Sequence, residues 1–133
     1  MNSGVTRMTF KPQGYNSVSP YVVVSGAQRL IDFLGRVFDA RVMRRYDNPD
    51  GTIMHAEVMI DDSIVMLGDS SPTYPPNTLL IHVYVSDVDE VFKRALAAGG
   101  TEDQAPQQRP GDPDRRGSFK EFAGNTWAIA TQG

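Results

Sequence analysis

The sequence predicts an α+β fold of two consecutive β-α-β-β-β modules whose mixed sheets curl around a shared cavity. Three observations carry the two-module reading. Val22, Val24, Ser25, Leu30 and Ile31 recur 61 positions later as Val83, Val85, Ser86, Val91 and Phe92, and a fixed period marks a duplicated structural unit. In both copies an apolar run passes through a serine into residues spaced for one helix face. Between the copies, Ser70 to Asn77 holds three prolines, which deny both helix and sheet ladder. The expected division is an N-terminal extension over 1–17, a first module over 18–69, a linker over 70–78 and a second module over 79–133, together one compact domain.

Taken in order, Val18 to Val24 is a β-branched and aromatic run expected as a strand buried on both sides, with Pro20 near its start. Ser25 is placed to cap a helix whose stripe is Leu30, Ile31, Leu34, Val37 and Phe38. Arg41 to Tyr46 reads as a strand, followed by a turn over Asp47 to Gly51. Thr52 to Ile60 alternates, with Met54, Ala56, Val58 and Ile60 on one face and His55, Glu57 and Met59 on the other. Asp61-Asp62 turns into a strand over Ser63 to Leu67. In the second module, Leu79 to Val85 is the buried strand, and Ser86 the expected cap of a helix with Val88, Val91, Phe92, Ala95 and Leu96 inward, closed by Gly99-Gly100. Thr101 to Gln107 is a weak edge strand, Gln108 to Gly117 a loop, and Ser118 to Phe122 and Thr126 to Thr131 the closing strands.

Composition narrows the function. A net charge of −3 leaves no electrostatic footprint for a nucleic acid. The absence of cysteine excludes disulfides, thiolate metal sites and a cysteine nucleophile. No stretch has the apolar length of a membrane span, and Met1 to Lys11 lacks a signal-peptide core. A cytoplasmic protein is expected. Met8 offers an alternative start, which makes the first dozen residues dispensable.

The duplicated module, the strand–Ser–helix openings and the ending Arg115-Arg116-Gly117-Ser118-Phe119-Lys120-Glu121-Phe122-Ala123-Gly124-Asn125-Thr126-Trp127 resemble the vicinal oxygen chelate superfamily of glyoxalase I, extradiol dioxygenases and bleomycin-resistance proteins. Its small bacterial glyoxalase-like members are the nearest in pattern, although this chain has Glu121-Phe122-Ala123 where Asp-Pro-Phe is usual. The resemblance implies the fold, a homodimer and a small-molecule ligand. It also places the family's four metal ligands at Ser19, Met66, Leu80 and Ala128. Three of these have no ligating atom for a hard or borderline divalent cation and serine is a poor donor, so neither metal nor other cofactor is expected.

Alternation along a strand puts residues of the same parity as those four positions on the cavity face. Tyr21 and Val23 are thus predicted there in the first strand, His82 and Tyr84 beside Leu80, and Thr126 and Ala130 beside Ala128. Trp127 and Ile129 should pack beneath a helix. The expected ligand-binding set is Ser19, Tyr21, Met66, Leu80, His82, Tyr84, Arg116 and Ala128, surrounding a small apolar or aromatic molecule. A second expectation is a lyase or isomerase using a relocated site of His55, Glu57 and His82, the residue types for acid–base work near neutral pH. Arg115 and Arg116 could grip an anionic group, but pairing with Asp112 and Asp114 is favoured.

Overall fold

A computed structural model describes residues 9–133; Met8, the alternative start, lies outside them. The elements are β1 (Tyr21–Val24), α1 (Ala27–Phe38), β2 (Arg41–Asp47), β3 (Ile53–Ile60), β4 (Ser63–Asp69), β5 (Leu80–Tyr84), α2 (Val88–Ala97), β6 (Thr101–Gln108), β7 (Asp114–Lys120) and β8 (Thr126–Gln132). They form two four-stranded mixed sheets, ordered β1-β4-β3-β2 and β5-β8-β7-β6, so each half is a β-α-β-β-β module and the fold is α+β. Within each module the first strand runs parallel to the last and the others are antiparallel. Neither sheet closes on itself.

One hydrophobic core joins the modules. Val22, Val24, Ala56, Val58 and Leu67 pack on α1 from the first sheet, while Phe119, Trp127 and Ile129 belong to the same core from the second. Phe33 and Phe38 of α1 reach across to the rings of Phe119 and Trp127, with centroids 5.9 Å and 5.6 Å apart for Phe33–Phe119 and Phe38–Trp127. Trp127 and Ile129 thus pack beneath the helices, as alternation requires.

Four local expectations are corrected. The first strands of the two modules are buried on one face only: Tyr21, Leu80 and Tyr84 are 40%, 73% and 59% exposed, because helices cover a single side of each sheet. Ser25 and Ser86 do not cap the helices. Gly26 is the N-cap of α1 and offers no side chain, so the Asp69 carboxylate from β4 accepts from Gly26 and Ala27 instead (3.0 and 2.9 Å). At α2, Asp87 accepts from the Glu90 amide, and Thr131 from that of Val88. Arg115, Arg116 and Gly117 lie in β7, not in a loop, since they pair with Thr131, Ala130 and Ile129 of β8. Finally, the β2–β3 register shifts between the Tyr46–His55 and Asp47–Ile53 pairs. That irregularity turns Ile53 into the core and Met54 outward, 57% exposed.

Candidate functional site

The face of the first sheet away from the helices carries a connected polar group. Tyr21 stands opposite Met66 on β4, and Met66 opposite Glu57 on β3. His55 lies two residues before Glu57 and so on the same face. Tyr21 Oη lies 2.8 Å from His55 Nδ1, and His55 Nε2 lies 2.8 Å from Glu57 Oε2. The other Glu57 oxygen accepts from the Tyr15 hydroxyl at 2.6 Å, with the Arg44 guanidinium 3.8 Å away. Tyr46 stacks on the far side of the His55 ring. Burial alone would raise the Glu57 carboxyl. Hydrogen bonds from Tyr15 and His55, with the nearby Arg44 charge, overcome that and hold it below the ordinary glutamate value. Burial and the nearby Glu57 push the Tyr21 phenol up, so Tyr21 keeps its proton at neutral pH.

Beside this group opens a cavity of about 610 Å³ lined by Tyr21, Val23, Met54, His55, Gly68, Asp69 and Tyr74. Gly68 in its wall lets β4 lie close against the start of β3: a Cβ there would stand 2.7 Å from the Met54 carbonyl oxygen. Its lining surface is mostly apolar with a few polar groups, the usual make-up of a small-molecule site.

The second sheet repeats the arrangement with different chemistry. His82 stands opposite Ala128 as Tyr21 stands opposite Met66. Gly117–Ile129 matches Ala56–Leu67, which makes Arg116 the counterpart of His55. Arg116 Nη1 donates to His82 Nε2 at 3.4 Å, and its other nitrogens pair with Asp112 and Asp114 at 2.7 and 2.9 Å. Tyr84 donates to Asp114 at 2.6 Å and meets His82 edge-on. Arg116 is therefore held by acids, and Arg115 likewise by Asp89 at 2.9 Å. His82 and Tyr84 open onto a separate cleft of about 430 Å³ between the modules, shared with Asn16, Val18 and Ile64.

Within the chain, then, His55 and Glu57 meet, but His82 belongs to another sheet and another network, and the three form no common site. The predicted ligand set divides the same way, with Tyr21 and Met66 on one sheet and Leu80, His82, Tyr84, Arg116 and Ala128 on the other; Ser19 precedes β1. Met66 is half-buried and Leu80 mostly exposed. One hydroxyl, one thioether and two hydrocarbon side chains are a donor set that does not suit a divalent cation. Among the described residues no three His, Cys, Asp or Glu side chains gather as a metal-holding cluster, and no helix is long and apolar enough to cross a membrane. Sequence reading missed Tyr15, Met54, Gly68, Asp69 and Tyr74. Tyr15 and Glu57 are 42 residues apart, and no periodicity links them.

The model of the Glyoxalase/Bleomycin resistance protein/Dioxygenase superfamily matches residues 15–129. The chain belongs to this superfamily. An uncharacterised protein of Mycobacterium bovis is 36% identical over 124 residues, covering 85% of this chain and 81% of its own. A Mycobacterium tuberculosis relative matches equally over 72% of its length. Among solved structures, TioX from a Micromonospora species superposes with a TM-score of 0.71 at 29% identity, covering 88% of this chain and 100% of its own. TnmS3, an antibiotic binding protein from a Streptomyces species, gives 0.68 at 21%, covering 95% and 99%. The Gly124-Asn125-x-Trp127 ending has an architectural role in this superfamily member: Asn125 Oδ1 accepts from the Leu79 amide at 2.8 Å, tying the start of the second module to the last turn.

Proposed function

We propose that this superfamily member is a small-molecule binding protein that works without the inherited metal site and takes an apolar or aromatic ligand. The observation that carries the reading is the apolar cavity of about 610 Å³ beside the Tyr21–His55–Glu57 group. The likeness in fold to an antibiotic binding protein agrees with it. The test uses 2-methoxynaphthalene as probe. Protein dialysed against EDTA should gain about 2.7 kcal/mol of stability at a hundredfold excess over the dissociation constant. Met54→Trp, which fills the cavity from an exposed position, should abolish the gain. Absence of any shift in melting temperature or in the Tyr21, Val23 and Gly68 amide resonances at millimolar probe would overturn the reading.

The protein acts in this reading as a cytoplasmic homodimer. The outer faces of both sheets expose Tyr21, Tyr46, Met54, Leu80 and Tyr84, a spread of apolar surface that association hides. Asn77 bonds along the outer edge of β1, to the Val23 amide and the Tyr21 carbonyl, while β5 has only β8 as neighbour. Sedimentation at micromolar concentration should give twice the chain mass. A clean 14.7 kDa species is the contrary result.

A further inference from the structure

We infer that the cavity beside Tyr21 selects aromatic ligands bearing a hydrogen-bond donor, a phenolic O–H or an aryl N–H, aimed at Tyr21 Oη. The inference rests on the cavity being the ligand site, and adds its polarity. Glu57 is ionised and can only accept, so the proton between it and His55 sits on Nε2. A neutral His55 ring then has only a lone pair on Nδ1, and Tyr21, 2.8 Å away, must donate to it. The one phenolic proton is thereby committed inward. What Tyr21 turns to the cavity is an oxygen lone pair, an acceptor. Glu57 cannot relay differently, because its second oxygen is taken by Tyr15.

The second module carries the same logic with the opposite sign. A guanidinium only donates, so His82 Nε2, 3.4 Å from Arg116, must accept, and the His82 proton sits on Nδ1. Asp112 and Asp114 fix Arg116 in that pose. The two pseudo-equivalent positions thus differ in polarity: Tyr21 offers an acceptor and His82 a donor. A bare duplication would have given both faces the same chemistry.

These are the only two histidines in the chain, so a tag-free sample gives an unambiguous imidazole spectrum once His82→Gln assigns it. Long-range proton–nitrogen NMR at pH 8 should place the His55 proton on Nε2 and the His82 proton on Nδ1. A His55 proton on Nδ1, or on both nitrogens, overturns the inference. The binding arm compares 2-naphthol with 2-methoxynaphthalene at the same pH. The naphthol should bind about tenfold tighter, about 1.4 kcal/mol. Tyr21→Phe should shrink the naphthol-to-ether affinity ratio, and an unchanged ratio also refutes the polarity. Equal affinities in the wild-type protein refute the polarity alone. If neither probe binds, the cavity is not a ligand site, and the reading beneath the inference fails with it.

Discussion

Glu121→Ala is expected to lower stability by about 3–4 kcal/mol and the melting temperature by about 10–15 °C. Glu121 is 5% exposed, and its carboxylate gathers four donors. Oε2 accepts from Trp127 Nε1 at 2.9 Å and Asn125 Nδ2 at 3.0 Å. Oε1 accepts from the amides of Ala123 at 2.8 Å and Asn125 at 3.4 Å. Alanine would leave these donors unpaired in a region where Trp127 and Asn125 are fully buried, and an orphaned buried donor costs its full desolvation. Glu121→Gln should fall between the two, since its amide must turn two N–H groups toward other donors. Chemical denaturation reads the difference directly. A Glu121→Ala protein within about 1 kcal/mol of wild type would show that the turn repacks and that the carboxylate is incidental.

Asp69→Asn should cost about 2–3 kcal/mol at neutral pH, with the loss concentrated at the start of α1. That helix has no acidic residue in its first turn and no side-chain cap of its own. Asp69 supplies both charge and acceptor, bonding Gly26, Ala27 and, at 2.7 Å, the Ile53 amide. An asparagine can satisfy one side only, and its N–H groups then face a donor. Burial alone would raise the Asp69 carboxyl, but the bonds from Ala27, Ile53 and Gly26 hold it below the ordinary aspartate value. A depressed native value gives stabilisation that is complete above the unfolded value, about 3.9, and lost as the pH falls through the native one. The gap between wild type and Asp69→Asn should therefore be constant from pH 8 to about 5 and close under acid. A gap that widens on acidification would contradict the role. Amide exchange should show α1 opening first in the variant.

By itself the sequence determined the architecture. The offset of 61 between Val22–Ile31 and Val83–Phe92 specifies two modules, and period-2 and period-3.6 patterns are local properties that need no partner to be read. Alternation likewise put Trp127 in the core and Tyr21, His55 and Glu57 on the opposite face. Only the tertiary structure decided which of those residues meet. Tyr15 reaches Glu57 from outside every periodic element, and Asp69 caps a helix 42 residues earlier in the chain. His82 and His55 are separated because they stand on different sheets, each with its own network. Hydrogen-bond partners depend on side-chain reach across strands, and strand register depends on bulges such as the one that turns Met54 outward. A linear pattern carries neither, which is why the modules were legible and the site was not.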